Sequence, residues 1–357
     1  MEQRREIANA YAHKGLGLIK ALAIVGIKRS TFYYKPNGRA RGKPCSTHTK
    51  KLDGELVHND MVVESILKTL SNEYHDYGYQ VMSVELKKQG YLINEKKVYR
   101  LMGESHLLHA SVKSSKSQKR ELINYTVPPL TEPFSTVEAD LKYIYIHGQN
   151  RNAYLLTMLC TFCRLAPVWR LNFTMKSTDV NELVESMVHH MLVKKYIISR
   201  GLKVIIRTDN GPQFIAHALA SELKSKQIAH EFIHPATPQE NAHIESFHNT
   251  VTRLVTNKNV FQSLDHAKQV FTEFFNAYNN TRVMKSLLYY SPSQFLSLWD
   301  KGIVGIKKDH QRKEIFFFKE KPDLPFDHGL SPEEVFVQNK FNIFSNQFLN
   351  RPENSPN

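Results

Sequence analysis

The stretch IIRTDNGPQF, residues 205–214, decides the fold class, because it joins a short apolar strand to a turn with a carboxylate between them. A β-branched run ends at Asp209, and Asn-Gly-Pro then turns the chain. Three interpretations of this carboxylate are open. It forms the turn through its own downstream backbone, it caps a helix that begins near Gln213, or it is a metal-binding group at a strand end. Taken alone, the stretch favours the two structural interpretations.

Strands and helices alternate on both sides of this stretch. The predicted elements are strands over 137–146, 153–160, 165–171, 204–206 and 228–233, and helices over 179–193, 218–226 and 240–254. This order predicts an α/β core with a mixed five-stranded sheet and helices packed on it. Pro167 indicates an edge strand or a bulge in the third strand. Further helices are predicted over 261–300, so the core is expected to span 131–300.

Residues 1–110 predict short helices and no convincing strand. Leu18, Leu22 and Val25 recur at helical spacing, and Gly26 ends that run before a second short helix opens near Lys28. This is the geometry of a helix–turn–helix unit, predicted over 1–50. Its exposed cations Lys28 and Arg29 are candidate DNA contacts.

A second helix–turn–helix-like unit is predicted over 51–110. One helix is marked by apolar residues at 62, 66 and 70, another spans 78–88, and Asn94 is a plausible cap for a third. That third helix would leave Lys96, Lys97 and Arg100 on one exposed basic face, which is suited to DNA. The alternative is an ordinary three-helix bundle with a solvated charged side.

The charge balance indicates a polyanionic partner. The chain has 357 residues with 48 Lys+Arg against 34 Asp+Glu, a formal net charge of +14. The charge is clustered, since residues 28–51 hold eight Lys or Arg and no acid. Nucleic acid is favoured, because phosphates bind such clusters with release of counterions. An anionic membrane is disfavoured, because these stretches lack an amphipathic apolar face.

Two segments flank the predicted core. Residues 111–130 are rich in Ser and Lys and then contain Pro, and they are predicted to be a basic linker that can lie along a phosphate backbone. Its candidate DNA contacts are Lys113, Lys116, Lys119 and Arg120. Residues 301–357 form a tail to which the sequence assigns no role.

The cysteines and the apolar segments indicate the cellular compartment of the protein. Cys45, Cys160 and Cys163 are too few for a disulfide framework and fit a reducing environment. Cys160 and Cys163 form a C-x-x-C in an apolar run, which favours core packing over metal or redox use. No apolar stretch reaches about 18 residues, and the N-terminus lacks the apolar region of a signal peptide. A cytoplasmic protein with no membrane partner is expected.

Three carboxylates fall where a metal-dependent phosphodiester chemistry would need them. Period-two alternation places Asp140 on the same side of its strand as Glu138, where an unsolvated carboxylate is costly unless it binds something. Asp209 ends the next parallel strand. Glu245 lies on the helix that follows Pro238, beside an apolar seam, and 35 residues separate it from Asp209. Each acid alone is weak evidence, but the combination is specific.

The motifs that carry a family resemblance lie in order along residues 1–300. They are STFYY (30–34), YGYQVMSVELKKQGYLINEKKVYRLM (77–102), ADLKYI (139–144), RTDNGPQF (207–214), TPQENAHIESFH (237–248) and YNNTR with a later SP (278–292). The chain resembles bacterial insertion-sequence transposases of the second-reading-frame (orfB) type, within the retroviral-integrase superfamily of D-D-E recombinases. The resemblance implies a ribonuclease H-like catalytic core. It also implies that Asp140, Asp209 and Glu245 hold two Mg²⁺ ions, with Mn²⁺ as a substitute.

The resemblance implies a function and partners as well. A transposase of this type would bind the inverted-repeat ends of its element, hydrolyse a phosphodiester and join the exposed 3′-OH to target DNA. It would act as at least a dimer, with a first-reading-frame subunit or fusion, in the bacterial cytoplasm at the nucleoid. Arg253, Lys258 and Arg282 are its candidate phosphate contacts in the core. Asn210, Gly211 and Asn241 also match the family motifs.

Three positions depart from the family pattern. Val137 replaces a common tryptophan, Thr252 a common basic residue, and Met284 a common histidine. None removes a carboxylate, so the departures bear on end-sequence contacts and level of activity. The rival hypotheses are a domesticated DNA-binding regulator and a structure-specific nuclease of the same fold. A covalent tyrosine or serine recombinase is disfavoured, because the tyrosines have no accompanying Arg/His cluster.

Overall fold

The computed structural model describes residues 2–34, 45–109, 131–201, 203–234, 238–308 and 314–320. The chain divides into two compact units, Met1–Thr47 and His48–Asn357. The described part of the first unit contains helices α1 (Glu2–His13), α2 (Leu18–Ile24) and α3 (Arg29–Tyr33). Its small core includes Ala8, Leu22 and Ile27. Helix α3 buries none of its residues, so Lys28 and Arg29 are exposed.

The second unit begins with a small mixed layer of helices and strands. Its elements are β1 (His48–Lys51), β2 (Leu56–His58), α4 (Asn59–Leu70), α5 (Tyr79–Lys88), β3 (Tyr91–Leu92) and α6 (Glu95–Glu104). The predicted cap of α6 is confirmed, because the Asn94 side chain accepts a hydrogen bond from Lys97 N at 2.8 Å. The prediction that this region has no strand was wrong. The three strands pair antiparallel in the order β2-β1-β3, and the sequence HTKK of β1 carries no apolar alternation from which pairing could be predicted.

A five-stranded mixed sheet forms the centre of the unit, as predicted. Its strands are β4 (Thr136–Ile146), β5 (Arg151–Cys160), β6 (Val168–Asn172), β7 (Ile205–Thr208) and β8 (Ala229–Phe232). The order is β6-β5-β4-β7-β8, in which β4 pairs antiparallel with β5 and parallel with β7. Strand β6, which follows Pro167, lies at one edge, in agreement with the expectation from that proline.

Helices cover both faces of this sheet. They are α7 (Ser177–His189), α8 (Met191–Arg200), α9 (Pro212–Ile215), α10 (His217–Ser225), α11 (Ala242–Val251), α12 (Leu264–Asn280) and α13 (Pro292–Asp300). One core joins Val137 and Ala139 of β4 to α7, α8, α10 and α13. The other joins Ile144 and Ile146 to α11 and α12. The alternation along β4 therefore turns Glu138 and Asp140 toward the face that α11 covers.

Two predicted helices differ from the observed ones. The single helix predicted over 179–193 is two helices, because the backbone at His190 is extended between α7 and α8. The helix predicted over 240–254 begins with a 3₁₀ turn and continues beyond Val251 as a π-helical turn, Thr252–Thr256. Such a turn inserts an extra residue per turn and rotates the side chains that follow it.

The tail predicted over 301–357 contributes a hairpin to the fold. Strands β9 (Val304–Lys308) and β10 (Glu314–Phe318) pair antiparallel. Phe316 packs its ring against Phe162 and Phe295, with centroids 5.0 and 4.7 Å apart. Residues 309–313 and 321–357 of the tail and the predicted linker over 111–130 lie outside the described residues. Within the described ranges, no helix is both long and apolar enough to cross a membrane.

An aromatic cluster between α11 and α12 is expected to dominate the stability of the unit. Phe274 is fully buried and contacts the rings of Phe247, Phe271 and Tyr278. Phe274→Ala is predicted to lower the free energy of unfolding by about 3–5 kcal/mol, because it removes buried area and leaves a cavity. Phe232, which is 41% exposed, is the matched control. Urea unfolding should show less than half that loss for Phe232→Ala, and equal losses would contradict the assignment.

Candidate active site

The site begins at Asp140, in the middle of β4. Its Oδ1 accepts a hydrogen bond from Leu141 N at 2.7 Å, and its Oδ2 lies 3.4 Å from Nδ1 of His248 on α11. The carboxylate is half-buried. Because β4 pairs with β7 up to Ala139 and Thr208, Asp140 and Asp209 each follow the last parallel pair. The two acids therefore leave neighbouring strands at the same edge.

Asp209 begins the turn quoted at the outset. Its Oδ1 accepts a hydrogen bond from Gly211 N at 3.0 Å, so the interpretation as a turn-former is confirmed. The interpretation as a helix cap was wrong, because α9 has Gly211 at its N-cap and no side-chain cap bond. A Cβ on Gly211 would lie 3.0 Å from Asp209 Oδ1 and would also meet the end of the Gln213 side chain. The absence of a side chain at Gly211 thus leaves room for the Asp209 carboxylate in the turn.

Glu245 lies in the first turn of α11, which packs on β4. Burial raises the pKa of Glu245, the charge of Asp140 raises it further, and His248 opposes both effects. Burial likewise raises the pKa of Asp209, against the hydrogen bond from Gly211, and Asp140 again adds to the increase. The charge of Asp140 therefore acts on both of the other predicted carboxylates.

The observed spacing of these side chains is wider than that of a closed metal site. Among the residues that the structure describes, no three Asp, Glu, His or Cys side chains converge closely enough to hold a metal ion. The hard oxygen ligands suit Mg²⁺ in chemistry. Their mutual repulsion is the electrostatic condition that a bound cation relieves.

Glu138 and Arg207 fix α11 to the sheet, and neither was predicted as a site residue. They face each other in the register of β4 and β7, with Glu138 Oε1 3.9 Å from Arg207 Nη1. The Glu138 carboxylate is 1% exposed, and its Oε2 accepts a hydrogen bond from Ile244 N at 2.7 Å. Burial raises the pKa of Glu138 to about 7, although the Ile244 N–H and the Arg207 charge both oppose this.

Arg207 completes this anchor at the entry to α11. It donates Nη1–H to Glu240 O at 3.1 Å and Nε–H to Glu231 Oε2 at 2.9 Å. The chain entering α11 is thus bound on one side by Arg207 and on the other by Glu138. The period-two placement of Glu138 beside Asp140 was the sequence signal that could have identified this pair.

Two more side chains near the acids each have a buried polar atom with no hydrogen-bond partner among the described residues. His248 follows Glu245 by three positions on α11, and its buried Nε2 has no hydrogen-bond partner among the described residues. Asn241, the N-cap of α11, is 4% exposed and makes no side-chain cap bond. Its buried Oδ1 also lacks a partner within the described ranges. The spacing of His248 from Glu245 indicates a shared helix face, which the sequence analysis did not use.

Among the predicted DNA contacts outside the core, some side chains are exposed and others have partners within the protein. Lys96 is exposed on α6, whereas Lys97 donates to His48 O at 2.6 Å and Arg100 pairs with Glu104 at 3.1 Å. Burial lowers the pKa of Lys97, and the charge of Arg100 adds to this. In the first unit, Arg29 lies over the ring of Tyr33 at 5.9 Å. The four basic residues predicted in the linker lie outside the described residues.

The predicted contacts in the core have intramolecular partners. Asp76, in the segment between α4 and α5, lies 2.7 Å from Arg282 Nη1 and 2.5 Å from Arg253 Nη1. Lys258 donates to Glu73 O at 2.8 Å. Arg282 also donates to Tyr74 O at 2.7 Å. These cations join the region of α4 and α5 to the core, and their role in binding DNA stays a prediction.

Removal of the Glu138 anchor tests this geometry. Glu138→Ala is predicted to cost about 3 kcal/mol, because Arg207 loses its buried counter-charge and Ile244 N–H loses its acceptor. Glu138→Gln keeps an acceptor for that N–H and is expected to cost less. The measurement is urea unfolding of both variants beside wild type. Equal stability of Glu138→Ala and wild type would show that the contacts of Glu138 with Ile244 N and Arg207 do not stabilise the fold.

Three family models match the chain. An HTH-like domain matches residues 58–114, and two integrase core domain models match residues 131–238 and 226–292. The first match covers the region of α4, α5 and α6. The other two cover the five-stranded sheet with α11 and α12, and so include all three acids.

Relatives from bacterial insertion elements match over most of their own length. The transposase for insertion sequence element IS904 of Lactococcus lactis is 26% identical over 251 residues, 68% of this chain and 95% of the relative. A 31.7 kDa protein of insertion element IS407 from Burkholderia multivorans is 23% identical over 77% of this chain and 89% of its own. A 39.2 kDa protein of insertion element IS476 from Xanthomonas euvesicatoria is 25% identical, and the match covers 82% of this chain and 76% of the relative.

Solved structures give weaker matches. A chain of the simian T-cell lymphotropic virus intasome has 15% identity and a TM-score of 0.40 over 62% of this chain and 70% of its own. The catalytic domain of Mos1 mariner transposase has 17% identity and a TM-score of 0.35, and the match covers 40% of this chain and 71% of that domain's chain. The fold assignment rests instead on the strand order and the family models. The chain is therefore related to the insertion-element transposases, with a helix–turn–helix-like domain followed by an integrase core domain.

Proposed function

We propose that the protein is a D-D-E DNA transposase in which Asp140, Asp209 and Glu245 carry the chemistry. The observation that supports this most is the electrostatic coupling of the three acids at one edge of the sheet. The charge of Asp140 raises the pKa of both of its partners. Acids whose pKa values are raised by a neighbouring acid are typical of a functional site, and a bound cation would relieve their repulsion.

The reaction is a pair of in-line displacements at phosphorus. In the first, a water oxygen bonds to phosphorus at the end of the element. The bond to the 3′ oxygen breaks, and that oxygen takes up a proton to become a free 3′-OH. In the second, this hydroxyl bonds to a phosphorus of target DNA, and the target's own 3′ oxygen leaves. No covalent bond to the protein forms, so the work of the chain is to position the reactants and neutralise charge.

The acids would hold the catalytic metal. Asp140, Asp209 and Glu245 supply carboxylate oxygens, which Mg²⁺ prefers, and Mn²⁺ would be accepted by the same ligands. Two such ions, if bound, would supply Lewis-acid activation of the attacking oxygen and stabilisation of the leaving one. His248 lies beside Asp140, where it orients that carboxylate. Glu138 positions α11, and through it Glu245, by its bond to Ile244 N.

The partner is DNA, in agreement with the charge of the chain. The helix–turn–helix-like region with Lys96 and the exposed α3 with Lys28 and Arg29 would bind the inverted-repeat end. The basic stretch over 111–120, which precedes the core in the sequence, would follow the phosphate backbone. Bringing two ends together requires at least a dimer, and a first-reading-frame subunit or fusion would supply further contacts. The functional domains would be those predicted from the sequence: 1–50, 51–110, the linker 111–130, the core 131–300 and the tail 301–357.

A DNA-binding regulator that has lost transposition is the alternative. It needs the helix–turn–helix-like region but no carboxylate site. The retention of all three acids around one edge favours the transposase.

Strand transfer by an oligonucleotide that carries the element's end tests the proposal. Asp209→Asn is expected to reduce joined product to below about 1% of wild type, because loss of a metal-bound carboxylate removes several kcal/mol of transition-state stabilisation. Asp265→Asn, an exposed acid in the first turn of α12, is the matched control and should retain activity. Wild-type yield from Asp209→Asn would exclude the acid from catalysis. Binding of the end without Mg²⁺-dependent cleavage or joining would favour the regulator.

Metal binding is measurable without DNA. Addition of Mg²⁺ should raise the melting temperature of wild type and of Asp265→Asn, because a ligand that binds only the folded state stabilises it by mass action. Asp209→Asn and Glu245→Gln should show a smaller rise. The assay is differential scanning fluorimetry after treatment with EDTA. An identical rise in all four proteins would show that the cation binds elsewhere.

A further inference from the structure

A cavity lies on the side of α11 that faces away from Glu245. Its volume is about 220 Å³. Four of its lining residues recur along α11 at helical spacing: His243, Ser246, Phe247 and Thr250. Glu245 and His248 point to the opposite side of the same helix by that spacing. A ligand in this cavity would therefore be separated from the three acids by the thickness of α11.

Two guanidinium groups line the cavity, and none of its lining residues is acidic. Arg164 comes from the loop after β5, and Arg282 follows α12. Arg282 has Asp76 as a partner through one nitrogen. The remaining wall consists of hydroxyl, imidazole and apolar side chains. The cavity is thus positive, with donors that a planar guanidinium presents to oxyanions.

Arg164 lacks a matching carboxylate. It is part-buried and donates Nη1–H to Thr161 O. No acid of the described ranges lies within 4.0 Å of its guanidinium, and the carboxylate that acts on it from farther away is Glu138, which already binds Ile244 N. Burial lowers the pKa of Arg164. Desolvation of this part-buried cation is therefore incompletely compensated, and an anion in the adjoining cavity would supply the missing counter-charge.

The neutral groups of the wall are hydrogen-bond donors. Ser246 and Ser286 are exposed at its rim and give access from solvent. Burial raises the pKa of Tyr278, so its phenol stays protonated. Burial, reinforced by the charges of Arg164 and Arg207, lowers the pKa of His243 to about 3, so its ring is neutral and retains one N–H. Cations flanked by neutral donors match a phosphate oxyanion.

We infer that this cavity binds a phosphate group, and that its source is a backbone phosphate of DNA, which rests on the proposed function. The helix α11 would then present Glu245 on one side and hold a DNA phosphate on the other. This contact would set the position of the DNA relative to the acids. It also gives Arg282 a phosphate contact on this side of the protein, although Asp76 already binds one of its nitrogens.

Ser246→Glu is the test variant, because it places a negative charge at the rim of the cavity without removing a buried group. Ser221→Glu on α10 is the matched control, since both serines are exposed on helices and both substitutions add one charge. Binding of duplex DNA to the full chain is measured by fluorescence anisotropy in EDTA over a series of salt concentrations. Ser246→Glu is expected to bind about tenfold more weakly than Ser221→Glu. The plot of log K against log salt concentration should become shallower, by the amount that corresponds to the loss of about one phosphate contact.

Inorganic phosphate provides a second arm that separates the two sources. It should raise the melting temperature of wild type and of Ser221→Glu but not of Ser246→Glu. Arg164→Asn should lose the same response, and Asn tolerates the left-handed backbone at this position, where φ is 59°. If the phosphate arm separates the variants and DNA affinity does not, the cavity takes free phosphate and the DNA source is wrong. If Ser246→Glu and Ser221→Glu have the same DNA affinity and the same response to phosphate, the cavity is not a phosphate site.

Both arms are independent of catalysis. They are performed without a divalent metal, so a failure of Asp209→Asn to affect strand transfer would leave them unchanged. Conversely, loss of the response in Ser246→Glu would support the cavity whether or not the three acids transfer strands.

Discussion

The contact between Glu138 and the first turn of α11 is the constraint on which the site depends. A carboxylate that is almost fully buried accepts the backbone N–H of Ile244 at 2.7 Å and faces Arg207 across two parallel strands. Burial of this carboxylate disfavours its charged form and raises the pKa of Glu138. The cost is offset because the same charge satisfies one of the free N–H groups at the start of a helix. This contact joins the sheet to the first turn of α11, in addition to the apolar packing of α11 on β4.

The arrangement of the three acids follows from that joint. Asp140 and Asp209 are held by the backbone of neighbouring strands, whose relative position the hydrogen-bonded ladder determines. Glu245 is held by a helix, which can rotate and slide on a sheet unless something fixes it. The bond to Ile244 N lies one residue from Glu245, so the freedom of that carboxylate is restricted close to its own Cα. Like charges are consequently kept near one another at a position where solvent can still reach them.

A second joint connects the helix–turn–helix-like region to the core. Asp76 meets Arg282 and Arg253, Tyr77 Oη accepts a hydrogen bond from Val283 N at 3.0 Å, and Lys88 donates to Tyr289 O at 2.7 Å. Apart from the exposed Arg253, these polar contacts join buried and part-buried groups, and each depends on its partner remaining in place. Basic residues near a candidate DNA site therefore have structural partners, and charge alone does not identify which of them are free to contact phosphate.

The sequence by itself determined the order of the core elements and the mixed five-stranded sheet, and it predicted the three acids. Local pattern was sufficient for the sheet, because period-two alternation marked β4 and a short turn motif ended β7 before Asp209. It did not determine the small sheet of β1, β2 and β3, the break at His190 or the π-helical turn after Val251. Strand β3 pairs with β1 from a distant part of the chain, and none of the three features leaves a hydrophobic period in the sequence. Only the tertiary structure decided that Glu138 holds α11, that Arg282 meets Asp76, and that Arg164 faces a cavity without a counter-ion. Each is a contact between side chains far apart in sequence, whose energy depends on burial and charge that exist only once the chain has folded.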